Sequence, residues 1–353
     1  MRTNEEKYLK HRKNQKFWLY VVAIVVVAAA LFFLSRYIGN KSDETVIAVN
    51  DSSAVKADAF DADSAYAFCA RQCEFGPRIM NSEAHDSCGK YISETFKSYG
   101  LTVVEQTATL KGYDGTQLNA TNIIASLNPQ KSNRILICAH WDSRPWADND
   151  PDEANHHTPV LAANDGASGV AVMLELARLS AADTSLFANV GIDFICFDAE
   201  DWGTPQWSDA EENEDTWALG AQYWAEHPHV DGYKAEFGVL LDMVGGRGAH
   251  FYREGFSDHY ASHIVDLVWQ TAASIGCGNY FINADGGTIT DDHRPINEKL
   301  HIPTIDIIPY YPECTASNFG PTWHTISDTM DNIDREVLSS VGRTLVAVLQ
   351  SVQ

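Results

Sequence analysis

The chain has 353 residues, 45% of them hydrophobic and 21% charged, enough to bury one large core or two modest ones. A net charge of -23 repels phosphate backbones and argues against nucleic-acid binding. The seven cysteines include no Cys-x-x-Cys pair, so neither a zinc finger nor a dithiol redox centre is indicated.

Phe17 to Leu34 is an uninterrupted apolar run without charge, just long enough to span about 30 Å of hydrocarbon. Arg2, Lys7, Lys10, Arg12, Lys13 and Lys16 precede it, while Arg36 and Lys41 follow. That asymmetry favours a cytoplasmic N-terminus, and no small-x-small cleavage pattern directly follows the run. The expected organisation is a basic cytoplasmic segment over 1–16, a transmembrane signal-anchor over 17–37, a polar linker over 38–60 and a catalytic domain over 61–353. This would place the domain in the periplasm or the exterior, tethered to the membrane.

Helical periodicity runs through 61–74 and 83–98, the second helix stopping at Gly100. Strands are predicted at Thr102–Leu110, Asn122–Leu127, Arg134–Ala139, Val190–Phe197, Phe237–Val244 and Thr304–Ile308. Helices are predicted at Ala167–Leu179, Trp217–Glu226, Ser257–Ile275 and Asp334–Val352. Alternating strands and helices, with several wholly apolar strands, predict an α/β fold: a mixed, mostly parallel sheet with helices on both faces. Two acidic runs, from Asp148 to Glu153 and from Asp209 to Asp215, read as solvated loops.

Chemistry-bearing residues collect where apolar strands end, which is where open α/β sheets bind ligands. His140-Trp141-Asp142 follows one strand, and Asp198-Ala199-Glu200-Asp201 follows another. Asp242 closes a third. Asp165 sits among small residues before a helix, Asp291-Asp292-His293 follows a glycine-containing segment, and Trp323-His324 precedes the last helix. Asp, Glu and His are the oxygen and imidazole donors that zinc accepts. Burying so many carboxylates together is costly unless a cation neutralises them.

In this order the set resembles the animal-type glutaminyl-peptide cyclotransferases, which also occur in bacteria and share a fold with the co-catalytic zinc aminopeptidases. The resemblance covers about residues 62 to 350. Its specific marks are Asp291-Asp292-His293, Trp207-Ser208 and the Trp immediately before His324. It implies one zinc ion on Asp165, Asp201 and His324, and proton transfer by Glu200 supported by Asp242 and Asp291. Trp207 and Trp323 would form the aromatic walls of the substrate pocket. The implied reaction cyclises an N-terminal glutamine of a peptide or protein to pyroglutamate with loss of ammonia.

The sequence departs from the animal pattern at three positions: Asp201 stands for Glu, Gly166 for Ser and Asp306 for His. A two-zinc aminopeptidase uses the same residues, with His140 and Asp242 on a second ion, Asp165 bridging and Asp142 close by. A non-catalytic, membrane-tethered binding protein on this fold is the other alternative.

Overall fold

A computed structural model describes residues 56–209 and 213–352. The expected signal-anchor lies outside the described residues; among these, no helix is long and apolar enough to cross a membrane.

Packing begins a little before Asp61. Phe60 is buried, and a Cβ on Gly342 would run into its ring, so the end of the segment read as a linker is seated on the last helix. Helix α1 (Ala62–Cys73) starts where the Asp61 carboxylate accepts from the Asp63 and Ser64 amides. Helix α2 (Glu83–Ser98) starts at Ser82, whose hydroxyl accepts from the His85 amide. Gly100, at φ +83°, turns the chain out of it.

Strands β1 (Thr102–Lys111) and β2 (Gln117–Leu127) form an antiparallel hairpin. The second begins five residues earlier than the apolar pattern indicated, because the hairpin register pairs Gln117 with Lys111. Next come β3 (Arg134–His140), α3 (Ala167–Ala182), β4 (Gly191–Phe197), α4 (Leu219–Glu226) and β5 (Phe237–Leu241). β5 stops three residues short of Val244, because Met243 takes a left-handed conformation (φ +51°) and bends the chain away. Two short strands that lack readable periodicity, β6 (Phe251–Arg253) and β7 (Phe281–Asp285), flank α5 (Gly255–Ser274) and pair with each other. The short helix α6 (His293–Pro295) runs on as a π-helical turn to Leu300. It leads into β8 (Thr304–Ile307), and α7 (Arg335–Ser351) follows.

The main sheet has the order β1-β2-β4-β3-β5-β8, with β4, β3, β5 and β8 parallel. Every residue of β4 and β5 is buried, as expected for parallel strands covered on both sides. One face packs Ile124, Leu136, Cys138, Ile195 and Leu240 against Trp224 of α4 and Ile296. The other carries α1, α2, α3 and α7. There Phe96 stacks on Phe194, and Gly169 lets α3 touch Ala139 and the Leu241 carbonyl, where a Cβ would clash. The four parallel strands therefore discharge together at one edge.

Candidate metal and catalytic site

Three of those strand ends meet the turn that opens α3. His140 ends β3, Glu200 and Asp201 follow β4, Asp242 follows β5, and Asp165 leads into α3. Ala199, Met243 and His324 have φ of +54°, +51° and +53°. Such left-handed non-glycine residues cost about 1–3 kcal/mol each and cluster where a site aims its side chains. Gly166 allows the Asp165 turn to press against His140, whose carbonyl a Cβ would strike.

Two donor triads result, each with its ligand atoms within 4.8 Å of one another: Asp165, Asp201, His324 and His140, Asp165, Asp242. His324 Nε2 lies 3.2 Å from Asp201 Oδ1 and 3.6 Å from Asp165 Oδ2. His140 Nε2 lies 2.9 Å from Asp165 Oδ1 and 3.3 Å from Asp242 Oδ1. Both imidazoles and both pairs of carboxylates are buried.

These residues fit a zinc ion. His140 Nε2 makes no hydrogen bond to the carboxylates beside it, and Asp201 Oδ2 and Asp242 Oδ1 are buried without one. Lone pairs that converge on a shared space rather than on each other leave room for a cation, and an N,O,O donor set suits zinc. Burial and then the neighbouring Asp165 push Asp201 upward despite His324 and Arg144, and burial followed by Asp291 and Asp165 brings Asp242 to about 7 despite His140.

A second layer orients the donors. Asp148 Oδ1 faces His324 Nδ1 at 3.3 Å, and Asp142 Oδ1 faces His140 Nδ1 at 3.5 Å. Asp142 also accepts from the Glu200 and Asp201 amides at 3.0 and 3.2 Å, fixing the turn that presents both acids. Asp328 does the same for the Asn164 and Asp165 amides at 2.9 and 3.0 Å.

The acidic segment from Asp148 is thus a solvated loop only in its second half: Asp152 and Glu153 are exposed, but Asp148 and Asp150 are not. Asp148 is buried, and Asn149 holds the His324 carbonyl through its amide and the Trp323 carbonyl through its side chain. Asp150 accepts from the Ile326 amide at 3.1 Å. Arg144, passed over in the sequence, is buried between Asp148 (2.7 Å) and Asp201 (3.3 Å). No local pattern marked it, since residues 144–148 form no helix on which a spacing of four would pair them. Removing such a partner leaves buried charge uncompensated, typically at about 3–5 kcal/mol.

Glu200, Asp242, Asp291, Asp165 and His324 line one cavity of about 400 Å³, within the range of small-molecule sites. Its aromatic walls are Trp217, Phe319 and Trp323. Trp323 stacks on the His324 ring at 3.7 Å between centroids, and Trp217 lies nearly parallel to it at 6.1 Å. Trp207 does not line this cavity. It is 39% exposed and rests against His156, His157 and Trp146. Replacing Trp217 by Ala is accordingly expected to raise KM about 10-fold, the scale of one lost aromatic contact, whereas W207A leaves KM within about 2-fold. Steady-state kinetics on the two variants measure the difference.

A mostly parallel sheet carrying Asp/His donor triads and a half-buried glutamate at its carboxyl edge defines a zinc exopeptidase-like protein. The chain belongs to peptidase family M28, whose model matches residues 122–349. A solved glutaminyl cyclase from Bacteroides thetaiotaomicron, bound to N-acetylhistamine, is 51% identical with a TM-score of 0.81, over 83% of this chain and 99% of that one. A leucine aminopeptidase precursor from the same organism is 49% identical with a TM-score of 0.80, over 86% and 100%. The glutaminyl-peptide cyclotransferase of Gloydius blomhoffii is 27% identical over 64% of this chain, and the match spans 63% of that relative's length.

Proposed function

We propose that this protein is a glutaminyl-peptide cyclotransferase with one zinc ion, held by Asp165, Asp201 and His324. The observation that carries the reading is the shared cavity, in which Glu200 and Asp291 face the same space as the donor triad under indole walls. The 51% identity to a glutaminyl cyclase over nearly that protein's full length supports it.

Bound zinc would supply Lewis acidity toward the γ-amide carbonyl. Trp217, Trp323 and Phe319 enclose the glutamine side chain and fold it back toward its own α-amine, which makes the attack intramolecular. Burial, followed by the charges of Asp201, Asp291 and Asp292, lifts the Glu200 carboxyl well above its ordinary range despite His140. A carboxyl so tuned accepts a proton from the attacking amine and returns it to the departing amide nitrogen. The new bond joins the α-nitrogen to the δ-carbon, the δ-carbon–nitrogen bond breaks, and ammonia leaves. Asp242 and Asp291 flank Glu200 and hold the proton network.

The His140, Asp165, Asp242 triad favours a second reading, a two-zinc aminopeptidase that hydrolyses peptides with metal-activated water. Mass spectrometry of a Gln-leading peptide after incubation separates the two. Loss of ammonia without shortening is expected; release of leucine from Leu-peptides with Gln-peptides unmodified would sink the cyclase reading. The apolar run from Phe17 and its basic flank add a membrane tether with a periplasmic body, so the same activity is expected to sediment with membranes.

A further inference from the structure

Glu254, immediately before α5, is 1% exposed, yet its carboxylate gathers donors from three directions. Oε1 accepts from the Phe256 and Ile289 amides, each at 2.9 Å. Oε2 accepts from the Ser257 amide and hydroxyl, each at 2.7 Å, and from His293 Nε2 at 3.1 Å. The Ser257 hydroxyl in turn accepts from the Asp306 amide at 2.9 Å, tying β8 to the same point.

Two of these partners bracket Asp291. Ile289 lies two residues before it and lines the catalytic cavity; His293 lies two residues after it and opens α6. The preceding loop is clamped as well, by Gly255 N to the Gly287 carbonyl (2.7 Å) and Gly286 N to the Arg253 carbonyl (2.8 Å). One carboxylate therefore fixes both ends of the five-residue segment that carries Asp291 into the cavity.

We infer that Glu254 is a positioning residue: it touches neither the cavity nor the donor triads, and it acts by holding Asp291 in place through Ile289 and His293. A capping role for α5 alone would need neither of those bonds. Although burial works against its ionisation, the bonds from His293, Phe256 and Ser257 bring its pKa down to about 2, so the clamp keeps its charge across the working pH range. The inference rests on the cyclase reading for the task of Asp291, and on geometry alone for the clamp.

The test compares E254Q, H293A, H293Q and the double variant E254Q/H293A with the full chain. Measurements are kcat, KM and zinc per chain. E254Q and H293A are each expected to lower kcat at least 10-fold, with KM within 3-fold and zinc unchanged. H293Q keeps an N–H toward Glu254 and is expected to recover most of kcat. The double variant is expected to be no worse than the poorer single one, because both changes break the same clamp. An E254Q kcat within 2-fold of the parent, or losses that multiply in the double variant, overturns the inference. Should E254Q fail to fold, equal kcat values for H293A and H293Q overturn it instead. If the parent chain releases leucine and leaves Gln-peptides unchanged, the cyclase reading alone fails, and the same ratios are read on leucine release.

Discussion

Glu200→Gln is expected to lower kcat by about 10²–10⁴-fold, the usual contribution of a positioned general acid–base group, while zinc content and melting temperature stay at their parent values. Gln preserves the length and shape of the side chain but cannot take up the amine proton. Its backbone anchor is independent of the substitution, since the Glu200 amide is held by Asp142 at 3.0 Å. The left-handed turn at Ala199 that aims the side chain into the cavity also remains. A charge-neutral replacement removes one anion from a crowd that includes Asp201, Asp291 and Asp292, so stability has no electrostatic reason to fall. Single-turnover assays with metal analysis on the same preparation check the outcome. Full activity with normal zinc would remove Glu200 from the chemistry and transfer the proton step to Asp291 or Asp242.

How much of this was legible depended on whether a residue's partner lay in its own segment. β4 was readable because Phe194 to Phe197 are apolar and run abruptly into acids, and the structure buries the whole strand. The donors at strand ends were readable for the same reason, and the triad of Asp165, Asp201 and His324 does converge. Asp148 was misread because a run of charges normally faces water. Here the partners of that run, His324 and Ile326, come from the far end of the chain, and no local pattern announces them. Trp207 and Trp217 have the same composition signal, and only the course of the chain between β4 and α4 puts the second over His324. Nothing in the sequence singles out Glu254, because its partners Ile289 and His293 lie 35 and 39 residues further on.

Asp165→Asn is expected to empty the site and lower kcat/KM by about 10³-fold or more, the scale of several kcal/mol of lost Lewis-acid stabilisation. Asp165 is the one residue common to both triads, with Oδ1 toward His140 and Oδ2 toward His324. An amide cannot offer two anionic oxygens, so D165N disables a single-ion and a two-ion centre alike. Asp242→Asn separates them. Asp242 belongs to the His140 triad but not to the His324 triad, so under the single-ion reading D242N keeps its zinc count and loses turnover through the proton network. Under the two-ion reading the same variant drops by one zinc per chain. Asp148→Asn probes the layer behind His324: loss of the carboxylate charge 3.3 Å from its Nδ1 is expected to weaken zinc about 10–100-fold, with the protein still active at saturating metal. Zinc titration with emission spectrometry on the three variants reads the whole set. A D165N protein that retains parental zinc would refute the shared-carboxylate centre, because nothing else in either triad reaches both imidazoles.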